Sequence, residues 1–252
     1  MTYWPVLGAD LVPLAFAVRL GSVATSLALA SRSRWCRLLA FSGSMVASAL
    51  TGAAALAVLS GTPLQGSLFS HTASGLSFGY AVTPLSAWFL LVLAFLALPI
   101  AVYSVAYLGH GALDRRSAFV GVGFNFLLGA IEAVFVADGV IGFLFAWEAM
   151  SLASAGLVAT EHERHDSRRA ALTYLVMSHL GTGCLTAGFF TLASLSGSLD
   201  FSDVLSGSLG AGRLRDGLFV LFFIGFGVKA GAMPLHCGCP RRTPRRHPAS
   251  RP

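Results

Sequence analysis

The sequence predicts an all-α, polytopic membrane protein of about seven transmembrane helices. Three observations predict it. The 252 residues are 55% hydrophobic and only 11% charged, with a mean hydropathy of +0.73. A soluble domain carries about 25% charged residues, so this chain cannot cover itself in water. Its apolar runs reach the ~20 residues that a bilayer core demands of a helix. Its arginines recur in alternate loops, as the positive-inside rule requires of a multi-pass protein.

Seven runs satisfy the length criterion: 11–30, 38–59, 84–108, 117–137, 138–159, 170–195 and 217–235. No basic segment precedes the first and no small-residue cleavage site follows it, so it is expected to stay as a span. Gly and Ser inside the runs favour close helix approach in lipid. Between the second and third runs, residues 60–83 are Gly- and Ser-rich. The alternation of Leu76-Ser77-Phe78-Gly79-Tyr80-Ala81-Val82 predicts a short hairpin or strand there. Ala137-Asp138-Gly139 predicts a tight turn between antiparallel helices.

Arginine placement tests the count independently. The loop after the first run holds Arg32, Arg34 and Arg37, that after the third Arg115 and Arg116, and that after the fifth Arg164, Arg168 and Arg169. The loops after the second and fourth hold no Lys or Arg. After the sixth, Arg213 and Arg215 are offset by Asp200, Asp203 and Asp216. The pattern predicts a bacterial inner-membrane protein with its N-terminus outside.

The net charge of +6 does not indicate a nucleic-acid partner. Arg241, Arg242, Arg245, Arg246 and Arg251 lie in the last dozen residues, and without these five the balance is close to neutral. Four cysteines, Cys36, Cys184, Cys237 and Cys239, are too scattered for a disulfide framework. The stretch Glu161-His162-Glu163-Arg164-His165 is one residue short of the i, i+4 histidine pair that zinc needs, and reads as a solvated turn. Gly225-x-Gly227-x-x-x-Gly231 lacks the βαβ context of a dinucleotide site. Neither a metal site nor a cofactor site is expected.

Within the spans the ionisable residues are Arg19, Glu132, Glu148, His179 and Lys229. Each charge at the bilayer centre costs ~2.5–3.5 kcal/mol by insertion scales and needs a reason. Arg19 reads as snorkelling toward the cytoplasmic side, and Glu132, within two turns of the outer edge, as facing water. Glu148 is the deepest, with Ser151 one turn along the same face. Lys229 is the only lysine among 17 basic residues. Lysine, unlike arginine, exchanges its proton readily when buried. Three glycines and Pro234 around it predict a helix interrupted at membrane depth, a feature tolerated where backbone lines protein or water and recurrent at transporter ion sites. His179 reads equally as a proton relay or as a hydrogen-bonded bundle histidine.

Trp147-Glu148-Ala149-Met150-Ser151-Leu152-Ala153-Ser154 and Gly227-Val228-Lys229-Ala230-Gly231-Ala232-Met233-Pro234-Leu235-His236 together resemble one family. It comprises the antiporter-like, proton-translocating membrane subunits of complex I, Mrp-type sodium/proton antiporters and membrane-bound hydrogenases. Val82-Thr83-Pro84-Leu85-Ser86-Ala87-Trp88-Phe89, Tyr103-Ser104-Val105-Ala106-Tyr107-Leu108, Glu161-His162-Glu163-Arg164 and Tyr174-Leu175-Val176-Met177-Ser178-His179 look most like its hydrogenase-4 component B branch. The resemblance covers about residues 75–236. It implies the first part of an inverted-repeat fold, with Glu148 and Lys229 as the paired glutamate and lysine of a proton half-channel and His179 and His236 as weaker participants. The implied activity is proton movement driven by redox chemistry in partner membrane and peripheral subunits, the chain itself holding no redox site. A sodium/proton antiporter subunit and a non-transporting fragment remain the alternatives.

The expected organisation is two helices and an outside loop over 1–83, helices three to seven of the translocating domain over 84–236, and a separate tail over 237–252. Members of the family continue beyond Pro-Leu-His with Val-Trp-Leu-Pro. Here Cys237-Gly238-Cys239-Pro240 follows, which can be written TGT GGC TGC CCN and, from its third base, reads Trp-Leu-Pro. A one-nucleotide deletion after His236, with 237–252 out of frame, is therefore expected. The tail's arginines and its Cys-x-Cys carry no functional reading.

Overall fold

The computed structural model describes residues 11–71, 76–107, 114–161, 163–207 and 212–232. Six of its helices are long and apolar enough to cross a membrane: α1 (Leu11–Ala28), α2 (Ser33–Leu59), α3 (Pro84–Tyr107), α4 (Asp114–Val136), α5 (Val140–Val158) and α6 (His165–Ser196). They correspond to the first six expected runs. The seventh run becomes α8 (Arg213–Ala230), which follows a single short helix α7 (Phe201–Ser206). At 18 residues α8 is long enough, but it carries four charged residues, Arg213, Arg215, Asp216 and Lys229. It stops one residue after Lys229. Gly231 takes the left-handed conformation (φ 69°), its N–H donating to the carbonyl of Val228, and the N–H of Ala232 donates to that of Gly227. A residue with a Cβ pays for that conformation, which is why glycine ends helices this way. The helix thus ends beside Lys229, where the sequence predicts an interruption; the residues beyond 232 lie outside those described. His236 and the tail, with the frameshift expected there, lie outside the described residues.

One element outgrew its expectation. α6 runs for 32 residues from His165, so Arg168 and Arg169 sit in its first turns and not in a loop. No breaker separates His165 from the apolar run, and Asp166 in the first turn suits the positive end of the helix dipole. At 1.5 Å per residue α6 is ~48 Å long, well over the ~30 Å hydrocarbon core.

The region 60–83 folds as the hairpin its alternation predicts. β1 (Leu64–His71) pairs antiparallel with β2 (Leu76–Val82), with a register irregularity between Ser67 and Phe69. The hairpin caps one end of the bundle. There the α4–α5 turn is stitched on both sides: the N–H of Asp138 donates to the Gly79 carbonyl, that of Val140 to Leu199, and that of Phe201 to Asp138. Tyr80 bridges Ala137, and Gly139 bridges Asp200. The C-terminal ends of α1, α3 and α5, which precede the arginine-bearing segments, all fall at the opposite end.

α1 packs on α2 and α4, α2 on α3 and α4, α4 on α5, α5 on α6, and α6 on α8. One core, with Ala54, Val58, Leu64, Val82, Leu90 and Val136, sits beneath the hairpin; another, with Val140, Leu144, Leu185 and Phe189, joins α5 to α6. The α6–α8 crossing is unusually close. A Cβ at Gly225 would lie 2.6 Å from Leu185 and 3.0 Å from the Gly181 carbonyl, and one at Gly181 would lie 3.1 Å from the Gly225 carbonyl. Glycine on both helices lets the backbones meet, as small residues do generally in membrane bundles.

Two readings are corrected. Arg19 does not snorkel and Glu132 does not face water: each is 2% exposed, and they pair with one another inside α1, α2 and α4. A charge that finds a bidentate partner within the bundle has no need of the interface.

Candidate functional site

Glu148, Ser151 and Trp147 come from α5, Tyr174 and His179 from α6, and Lys229 from the end of α8. Packing of α5 on α6 and the glycine crossing of α6 on α8 bring them together. From the hairpin end, Glu148 is ~12 Å along α5 and from the other end ~15 Å, which places it near mid-depth.

The Lys229 ammonium donates to Ser151 Oγ at 2.8 Å and to the Tyr174 hydroxyl at 3.0 Å. It also lies 5.6 Å from the centre of the Trp147 ring and 5.5 Å from that of Tyr174, within cation–π range. Two of its three protons are therefore engaged and the cation rests against two aromatic faces. Ser151, fully buried, has its hydroxyl turned to the Trp147 carbonyl at 3.0 Å, one turn back. The Tyr174 hydroxyl has Ser154 and Ser178 as further neighbours. Trp147 is itself held by Phe143 and Phe226, in an aromatic cluster that continues to Phe189, Phe201 and Phe222.

Glu148 faces a different partner. Its Oε2 is 3.7 Å from His179 Nε2, with side-chain exposures of 28% and 52%. His179 Nδ1 lies 3.0 Å from the Leu175 carbonyl. A carbonyl only accepts, so Nδ1 carries a proton and Nε2 is the nitrogen left to exchange one with the carboxylate. A separation of 3.7 Å is an ion-pair contact and not a hydrogen bond, so transfer needs closer approach or a water.

Of the residues the sequence singled out, Glu148, His179 and Lys229 gather on three adjoining helices. Glu148 and Lys229 do not pair directly; among the described residues no ion pair joins them. Ser151 connects them, bonded to Lys229 and one helical turn from Glu148, where i, i+3 neighbours stand about 5–6 Å apart. Tyr174 and Trp147 were not singled out as ligands of the lysine. Tyr174 carries no charge at rest and therefore no penalty in an apolar run that would draw attention to it. No group of His, Cys, Asp and Glu that could hold a metal occurs among the described residues.

Comparison with known proteins adds the following. Residues 137–241 match the family model described as NADH:quinone oxidoreductase/Mrp antiporter, TM, and residues 69–119 that described as NADH-Ubiquinone oxidoreductase (complex I), chain 5 N-terminus. Hydrogenase-4 component B of Escherichia coli (strain K12) is 35% identical over 160 residues, 64% of this chain and 23% of that protein. NADH-quinone oxidoreductase subunit L of Mycobacterium tuberculosis is 29% identical over 159 residues, 63% of this chain and 25% of that one. The chain thus spans about a quarter of the length of these relatives. In fold it resembles a chain of the Mrp complex from Dietzia sp. DQ12-45-1b (TM-score 0.74, 22% identity, 91% of this chain and 42% of that one). It also resembles a chain of the archaeal membrane-bound sulfane sulfur reductase (TM-score 0.65, 23% identity, 91% and 35%). The first of these models takes in α5, α6 and α8, the helices that carry the site, and over that stretch the chain is built as an antiporter-like membrane subunit of the NADH:quinone oxidoreductase/Mrp antiporter type.

Proposed function

We propose that the chain moves protons across a bacterial inner membrane as part of a redox-driven complex, through the Glu148–His179 and Lys229–Ser151–Tyr174 groups. The observation that carries this reading is the Lys229 ammonium held between Ser151 and Tyr174, one helical turn from a carboxylate facing a histidine. Ionisable groups at membrane depth mark ion pathways by default, because their insertion cost has to be offset by use. Glu148 and His179 pass a proton between Oε2 and Nε2 on closer approach or through a water. A water beside Ser151 spans the remaining step to the lysine. Lys229, once it has released its own proton and is the neutral amine, takes this one up and holds it as the ammonium until α8, which ends at Ala230, shifts and breaks its two hydrogen bonds. Electron chemistry belongs to other membrane and peripheral subunits; the names of this chain's relatives, hydrogenase-4 component B and NADH-quinone oxidoreductase subunit L, support the redox coupling. The arginine-bearing segments after α1, α3 and α5 support a cytoplasmic placement of the end opposite the hairpin and an N-terminus outside.

The second reading is a sodium/proton antiporter subunit, favoured by the Mrp antiporter description of the family model over 137–241. Inverted membrane vesicles carrying the intact complex test both. Redox-driven acidification without sodium, lost in Lys229→Met and Glu148→Gln, is the expected result; sodium-dependent proton flux supports the second reading instead. Acidification undiminished in both variants would sink the pathway.

A further inference from the structure

Apart from the proposed proton site, α1, α2 and α4 enclose a second charged cluster with no part in it. Arg19 on α1 and Glu132 on α4 stand 113 residues apart in sequence and are each 2% exposed. The guanidinium meets the carboxylate as a fork: Nε donates to Oε2 at 2.7 Å and a terminal nitrogen to Oε1 at 2.5 Å. The same nitrogen reaches Ser48 Oγ on α2 at 3.1 Å, while the other lies 3.5 Å from Ser44 Oγ. Thr51 Oγ1, also on α2, is 2.8 Å from Oε1. Gly129, one turn before Glu132 on α4, faces the Arg19 stem, where a Cβ would stand in ordinary contact 3.5 Å from Cδ. α4 thus supplies the opposite charge for the arginine head, and α2 supplies the remaining polar partners.

We infer that Arg19 and Glu132 are an assembly lock: a mutually neutralising pair through which α1 and α2 dock on α4, each charge being unstable in the membrane until the other arrives. The lock would hold whether or not the chain transports protons. Alone, α1 carries an uncompensated guanidinium into lipid and α4 an uncompensated carboxylate, each at a cost that insertion tolerates but folding does not leave standing. Met by its partner, each is satisfied by two charge-assisted bonds and a hydroxyl. Removing one member strands the other's charge, whereas removing both strands none and leaves hydroxyls that can bond along α2, as Thr51 Oγ1 already does to the Ala47 carbonyl.

The test expresses the full 252-residue chain in bacterial membranes and measures the yield of monodisperse detergent-solubilised protein and its midpoint of thermal unfolding. Arg19→Met and Glu132→Leu are each expected to lower the folded-to-unfolded ratio by about 100-fold or more, the loss typical of breaking a buried pair. The combined R19M/E132L chain is expected to recover most of the yield. Arg19→Lys is expected to fall between, since an ammonium lacks the two-pronged fit. Single variants that match the wild type overturn the proposal, and so does a double variant no better than the worse single.

Discussion

The close α6–α8 crossing makes a sharp prediction about Lys229. In Gly225→Ala the new Cβ would stand 2.6 Å from two Leu185 carbons and 3.0 Å from the Gly181 carbonyl. Ordinary van der Waals contact begins near 3.5 Å, so the helices have to part by roughly 0.5–1 Å or Leu185 has to leave its rotamer. Overpacking of this kind costs about 1–3 kcal/mol. Lys229 lies one turn further along α8 and bonds across to Ser151 at 2.8 Å and Tyr174 at 3.0 Å. A displacement of that size lengthens the Ser151 bond to about 3.3–3.8 Å and the Tyr174 bond to about 3.5–4.0 Å, at or beyond the limit of useful hydrogen bonding. Each bond to a charged group contributes about 1.5–3 kcal/mol, so transport is expected to fall by at least about tenfold. Redox-driven acidification of inverted vesicles, set against the amount of folded complex, measures it. Gly183→Ala is the control, for a Cβ there meets nothing within 4 Å and should change nothing. Unimpaired acidification in Gly225→Ala, with the protein folded normally, would refute the argument that the glycine crossing positions the lysine.

Other outcomes follow from the same geometry. Lys229→Arg keeps the charge but not the ready exchange of a proton, so the protein should assemble and the proton flux vanish in the vesicle assay. Tyr174→Phe and Ser151→Ala should each reduce flux partially, and the two together should approach the Lys229→Met level, because each removes one of the ammonium's two acceptors. Gly231→Ala should lower the thermal midpoint by an amount corresponding to about 1 kcal/mol, the strain of a left-handed non-glycine residue at φ 69°. Sequencing the gene around codon 236 should reveal a reading frame in which Trp-Leu-Pro follows; third bases that forbid it would dispose of the deletion.

The spans, the hairpin and the Ala137–Gly139 turn were legible because lipid imposes a one-dimensional rule: each segment satisfies its own backbone, so length and hydropathy suffice. Glu148 and Lys229 stood out for the same reason, as charges with an insertion cost. Partners were another matter. Arg19 and Glu132 meet across 113 residues, and nothing periodic in the chain connects them. Read singly, each had a plausible route to water, and only the packing of α1 on α4 removes it. Likewise the lysine's ligands include Tyr174, a residue unremarkable in an apolar run. Its role arises from the approach of α8 to α6, which the glycines permit but do not announce. The extra turns of α6 escaped notice because hydropathy registers where a helix is greasy, and the polar residues from His165 to Arg169 continue it without being so.

The stitching of Asp138, Val140 and Phe201 to their neighbours fixes α5 and the far end of α6 at a common root, like the prongs of a tuning fork. Ser151 lies ~16 Å out along its prong. At that radius a swing of roughly 3° displaces its hydroxyl by nearly 1 Å, enough to release the lysine. A disturbance applied to the hairpin, outside the lipid, thus has a mechanical lever reaching the middle of the membrane.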